Sequence, residues 1–138
     1  MLVSMMQVTS KDHKRIDEIN ILAATMEAMA ESVAKLRVQA DYVFIDGNRV
    51  PSQIQEQRPT LGVEAVVKGD SKVYSIAAAS VIAKVTRDRQ MLELHQKYPQ
   101  YNFAQHKGYP TKAHVQAIAK HGPCPYHRMT FAPLKHMK

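Results

Sequence analysis

Apolar side chains recur at three- and four-residue steps over residues 15–38. Ile19, Leu22, Met26, Met29, Val33 and Leu36 fall on one stripe, the spacing of a helix with one buried face. Ala23, Ala24, Ala28, Ala30 and Ala34 add helix propensity. Asp17, Glu18 and Glu27 lie toward the start and Lys35 and Arg37 at the end, as the helix dipole prefers. The pattern changes over residues 42–46, Tyr-Val-Phe-Ile-Asp, a short β-rich run closed by Gly47 and Asn48. It predicts a buried strand ending in a carboxylate. Residues 49–61 are polar and contain Pro51 and Pro59, which predicts a loop. Residues 63–67 predict a second strand, closed by Lys68-Gly69-Asp70-Ser71, so a carboxylate again stands just beyond a strand end.

A second helix is expected over residues 73–98. Its first part, Ile76 to Ala83, is apolar nearly all round and should be buried. From Lys84 it turns amphipathic through Val85, Met91, Leu92 and Leu94, and it stops before Pro99. Residues 99–110 read as a loop. Residues 111–121 read as a further helix with Thr111 as N-cap and Gly122 just past its end. The tail, residues 123–138, carries three prolines and should be mostly irregular. The opening residues 1–9 are apolar and read as a strand remnant or a frayed end. This order predicts an α/β layered fold in one domain spanning residues 1–138. Two or three strands make a thin sheet for so much helix.

Charge adds an asymmetry. The chain carries 19 Lys+Arg against 12 Asp+Glu, a net charge of +7. All 12 acids lie in residues 1–93, balanced by 12 bases, so the whole excess belongs to the basic last third, which also holds 6 of the 7 His. A one-sided basic segment suits a polyanion such as nucleic acid, or a solvated basic surface. Hydrophobic residues at 45% and charged residues at 22% exclude a disordered chain. No apolar run approaches the roughly 18 residues of a membrane span, and the opening lacks the parts of a signal peptide. One cysteine, Cys124, excludes a disulfide framework and points to a reducing, cytoplasmic compartment.

Four groupings could carry chemistry. Asp46 and Asp70 each close a strand, where α/β sheets gather ligands. Paired carboxylates there suit hard cations such as Mg²⁺ or Mn²⁺, while a turn-forming Asp beside Gly fits the same positions. Lys68-Gly69-Asp70-Ser71-Lys72 could approach a phosphate through glycine backbone, or be a plain polar turn; the full phosphate-loop pattern is absent. His106-Lys107-Gly108-Tyr109-Pro110-Thr111 sets a base and an aromatic in one loop, as nucleic-acid stacking requires, although a tyrosine packed on its own domain fits equally. His121, Cys124, His127 and His136 form the fourth grouping, with an H-x₂-C-x₂-H spacing that zinc could use, but a closed site needs a fourth ligand.

These segments together resemble type 2 ribonuclease H, the ribonuclease HII family. The resemblance rests on Tyr42-Val-Phe-Ile-Asp-Gly-Asn48, Val66-Val-Lys-Gly-Asp-Ser71, Ile76 through Asp88, Phe103 through Thr111, and His127-Arg128 with Phe131. Ile16-Asp-Glu-Ile-Asn-Ile21 matches the opening of the corresponding helix. It covers residues 15–135, nearly the whole chain. It implies a ribonuclease H-like fold and metal-dependent cleavage of the RNA strand in RNA–DNA hybrids, including single ribonucleotides in duplex DNA. It further implies a four-carboxylate site using Mg²⁺ or Mn²⁺, with Asp46 a metal-binding carboxylate and Asp70 the last acid of the set. Tyr109 would stack on the sugar at the DNA–RNA junction. Lys68, Ser71 and Lys107 would contact phosphates.

The family pattern also has an adjacent Asp-Glu pair on a first strand, followed by a Gly-Arg-Gly turn that reads the 2′-hydroxyl. No such arrangement occurs here; the one Asp-Glu pair, Asp17-Glu18, lies in the helix opener. The expectation is an N-terminally incomplete sheet flanked by helices, with half the acids present. That leaves two functional expectations: a ribonuclease H-type endonuclease whose activity depends on the absent acids, or a non-catalytic module that binds hybrid or duplex nucleic acid.

Overall fold

The structure is a computed structural model and describes residues 6–137. Of the apolar opening, residues 1–5 lie outside the described residues and residues 6–9 take no regular form. The chain divides into two compact units between Ser80 and Val81.

In the first unit the expected long helix is two helices, α1 (His13–Ile19) and α2 (Ile21–Ala34). The break is Asn20, at φ 72°, ψ 166°, far from helical backbone and in a region that side chains rarely adopt. Its side chain caps α2 by accepting from the Ala23 amide, just as Asp12 caps α1 by accepting from Arg15. These local side-chain bonds compete with a continuous helix. The helix also ends earlier than the apolar stripe suggests, at Ala34. Strand β1 (Tyr42–Asp46) and strand β2 (Gly62–Val66) pair in parallel, with Asp46 opposite Val66. A parallel pair needs a crossover, and the expected loop supplies one through a short helix, α3 (Ser52–Gln57), entered at the buried Pro51. Ile54 of α3 is fully buried against Ala30 of α2 and Ile45 of β1, with Val43 and Val63 around them. Odd-numbered positions of β1 therefore face this core. Even-numbered Tyr42, Phe44 and Asp46 face away from it and are exposed.

Helix α4 (Tyr74–Lys97) agrees with its expectation within one residue at each end. Its apolar first part does not go inside as expected. Ile76 is buried, but Ala78, Ala79, Ser80 and Val81 are exposed. A helix that is apolar all round needs surfaces on every side, and the described two-stranded sheet has little area to offer.

In the second unit, the region expected as loop contains a 3₁₀ turn (Pro99–Tyr101) and the one-turn helix α5 (Phe103–His106). Helix α6 (Lys112–His121) follows, capped by the Thr111 hydroxyl accepting from the His114 amide and ended by Gly122 at φ 75°. The tail is irregular apart from a 3₁₀ turn over Leu134–His136, yet it is firmly packed. Cys124 and Leu134 join Met91, Tyr101, Phe103 and Ile118 in this unit's core.

Candidate metal and nucleic-acid sites

Asp46 is the last residue of β1, and the ladder continues one bond further, from the Gly47 amide to the Val66 carbonyl at 3.1 Å. The chain leaving β2 then turns back through Lys68, held in the left-handed region at φ 54°, ψ 44°, into a 3₁₀ turn over Gly69–Ser71. That reversal carries the Gly69 amide to Asp46, donating to Oδ1 at 2.9 Å. A carboxylate bonded to a backbone amide keeps one oxygen aimed, and its other oxygen is the one presented elsewhere. A side chain at residue 69 would crowd this approach. A Cβ there would sit 2.5 Å from Ile76 Cδ1 and 3.3 Å from Asp46 Oδ1.

The structure thus ties Asp46 to the turn bearing Asp70, Lys68 and Ser71. Asp70, Lys68 and Ser71 are all exposed. The Ser71 hydroxyl donates to the Lys68 carbonyl at 2.8 Å, and the Ser71 amide donates to the same oxygen. Its one hydroxyl proton is therefore committed to the turn, which explains the serine as a turn former. Among the described residues no three His, Cys, Asp or Glu side chains converge as a metal cage. Asp46 and Asp70 are carboxylates of the kind that hard cations such as Mg²⁺ take as oxygen donors. Two carboxylates do not by themselves make a site for a pair of ions.

The second unit holds Lys107 and Tyr109. Lys107 ends α5 in the left-handed region at φ 53° and Gly108 continues at φ 84°. These two residues reverse the chain and leave the Tyr109 ring 71% exposed, so it does not pack on its own domain. On α4 beside this turn, Lys84 donates to Asp88 at 2.9 Å. The Asp88 carboxyl is held below its usual range by Lys84 first, and by the charges of Lys107 and Arg87. Arg87 also approaches the turn directly: its Nη2 would lie 3.2 Å from a Cβ at Gly108. Three cations around one carboxylate leave this surface positive next to an exposed aromatic ring. Sequence reasoning missed Arg87, although it stands in the Thr-Arg-Asp run of the resemblance.

It also missed how the histidines are used. His106, His114 and His127 are buried. The zinc spacing does not form a site, because His127 Nδ1 accepts from the Cys124 backbone amide at 2.9 Å. Cys124 is a free, buried thiol, pushed up from its ordinary pKa by burial.

The ribonuclease HII family model matches residues 1–134. The chain belongs to the ribonuclease HII family. It is 57% identical over 120 residues to a ribonuclease HII of Aliivibrio fischeri, covering 87% of this chain and 55% of that protein. It is 55% identical over 120 residues to the ribonuclease HII of Psychromonas ingrahamii, covering 87% and 56%. The chain therefore spans about half the length of the curated relatives it matches. The crystal structure of ribonuclease H2 from Pyrococcus horikoshii superposes with a TM-score of 0.73 at 27% identity, covering 91% of this chain and 64% of that one. The fold is α/β and ribonuclease H-like, with a small parallel sheet among helices. No helix among the described residues is long and apolar enough to cross a membrane.

Proposed function

We propose that this chain serves metal-dependent phosphodiester hydrolysis on RNA–DNA hybrids and on duplex DNA with embedded ribonucleotides. The observation that carries this reading is the Asp46 carboxylate, fixed at the end of β1 by the Gly69 amide within a ribonuclease HII chain. Asp46 and Asp70 would hold Mg²⁺ or Mn²⁺ in a cytoplasmic protein. When bound, such an ion supplies Lewis-acid polarisation of the phosphate and lowers the pKa of a bound water.

The protein's own residues orient and bind. Gly69 keeps one Asp46 oxygen occupied, so the carboxylate offers the other without rotating. Lys68 and Lys107 neutralise backbone phosphates, and Ser71 shapes the turn that presents Lys68. Tyr109 stacks on the sugar at the DNA–RNA junction, its ring already in solvent. Phosphate contacts of this kind make affinity fall steeply with salt.

The test is cleavage of a duplex bearing one ribonucleotide, with Mn²⁺ present. Cleavage by the chain that Asp46→Asn removes supports the reading, and cleavage that survives Asp46→Asn refutes it. Salt-sensitive binding without any cleavage supports instead a binding module. Tyr109→Ala should weaken discrimination between a junction-bearing duplex and plain DNA more than it weakens overall binding. Equal loss on both would refute the junction role.

A further inference from the structure

Each nitrogen of the three buried imidazoles has a hydrogen-bond partner, and the partners dictate the tautomers. The Gly108 amide donates to His106 Nδ1 at 3.1 Å, so that nitrogen is bare and Nε2–H must donate to the Tyr101 carbonyl. The Cys124 amide donates to His127 Nδ1, so His127 Nε2–H donates to His114 Nε2 at 3.0 Å. His114 Nε2 is then the acceptor, which leaves His114 Nδ1–H to donate to the Tyr109 carbonyl at 2.9 Å. The His106 and His114 rings stack with centroids 4.0 Å apart. The Phe103 ring stands steeply against both, in T-shaped contacts.

Two of these hydrogen bonds fall on the backbone of one turn. His106 receives the amide of Gly108, and His114 supplies a proton to the carbonyl of Tyr109. A left-handed Lys107 followed by a left-handed Gly108 is not a conformation the chain holds cheaply. Buried side-chain bonds of this kind keep such a turn in one state.

We propose that His106, His114 and His127 are positioning residues: His127 donates to His114, His106 stacks on His114, and together they hold the Gly108–Tyr109 turn and so aim the Tyr109 ring at its nucleic-acid ligand. The assignment of Tyr109 to nucleic acid rests on the function proposed above, whereas the network itself stands on geometry. Tyr109 touches the ligand; the histidines act through it.

The full chain, labelled with ¹⁵N-histidine, tests the tautomers by long-range proton–nitrogen spectra at neutral pH. His106 and His127 should be protonated at Nε2 and His114 at Nδ1; any other pattern overturns the proposal. His114→Ala should raise amide exchange at Gly108 and Tyr109 by about tenfold, the loss of one buried hydrogen bond, while amides of the core helix residues Met91 and Ile118 hold. In His114→Asn the side-chain amide nitrogen stands where Nδ1 stood and can still donate to the Tyr109 carbonyl, so it should restore most of the protection. Uniform acceleration across the unit, or no rescue by His114→Asn, would make His114 a packing residue and overturn the proposal. If His114→Ala fails to fold, the wild-type tautomers and the His114→Asn exchange still decide. The same variants are then titrated with a single-ribonucleotide duplex and plain DNA. His114→Ala should lose junction discrimination as Tyr109→Ala does, with His114→Asn recovering it. Discrimination unmoved by His114→Ala but lost in Tyr109→Ala overturns the aiming role. Discrimination unmoved in Tyr109→Ala refutes the junction reading alone, since tautomers and exchange report on the network without ligand.

Discussion

The Gly69 amide and the Asp46 carboxylate meet at 2.9 Å across the end of the parallel strand pair. Residue 69 has no side chain, and a Cβ there would crowd this contact. Gly69→Ala would drive its methyl group into Ile76 Cδ1 and against Asp46 Oδ1. Overpacking of this kind costs about 1–3 kcal/mol, read as a lower urea midpoint. The clash is chiefly with one methyl, so Ile76→Val, which removes Cδ1, should recover part of the loss in the double variant. Ile76→Val alone should cost about 0.5–1.5 kcal/mol. Strict additivity of the two changes would show that the turn had moved elsewhere to make room.

Lys68 offers a different separation, of backbone from charge. It sits at φ 54°, ψ 44°, where a side chain costs roughly 1–2 kcal/mol and glycine almost nothing. Lys68→Gly should therefore be at least as stable as the wild type, after the extra freedom glycine gives the unfolded chain. Lys68→Ala keeps the strain. If the ammonium contacts a phosphate, both variants should lose duplex affinity alike, with the salt slope falling by about one. Loss of affinity in Lys68→Gly alone would mean that the turn shape, not the charge, is what matters.

How much of this was readable in the sequence differs by kind of signal. Strand β1 and helices α4 and α6 came from periodicity and punctuation, because apolar runs and caps such as Thr111 act locally. The break at Asn20 and the helix after Pro51 were missed because they depend on single side-chain bonds and on Ile54 finding a core built by distant residues. Motif resemblance named Asp46, Asp70 and Tyr109. It could not reveal that Gly69 holds Asp46, since that bond joins residues 23 apart. The histidines were visible as residues of a basic third, but not as a network. Their pairing needs the turn at Gly108 that sets His106 against His114.

The start of the first unit is held by charge. Lys11 and Lys35 both bond Glu31 and keep its carboxyl at about 2, Lys11 contributing most, while Arg15 lowers Glu27. A carboxylate with a depressed folded pKa adds stability above its unfolded value, near 4.3, and loses it as pH falls toward the folded one. Stability of this unit should therefore drop between about pH 4.5 and 2, and Glu31→Gln should flatten that slope. The groups are only half-buried and still reach solvent, so added salt should shrink the difference. Thermal midpoints against pH, at low and high salt, measure it. An identical slope in Glu31→Gln would place the acid sensitivity elsewhere.

Acid should act on the second unit sooner, through His114. Burial lowers its pKa first, the bond to the Tyr109 carbonyl opposes this, and the neighbouring His106 adds to the lowering. Protonation would also put a second proton on Nε2, facing the Nε2–H of His127. The folded chain therefore favours neutral His114, while the unfolded chain takes up a proton near pH 6.5. The stability this gives is complete above that value and falls as pH drops below it. Exchange at Gly108 and Tyr109 should quicken, beyond the intrinsic pH effect, as pH falls below about 6.5, before the carboxylates of the first unit titrate. His114→Asn, which cannot be protonated there, should weaken that response. An undiminished response in His114→Asn would place the acid sensitivity outside His114, and site-resolved NMR titration of the His114 ring in the wild type checks this directly.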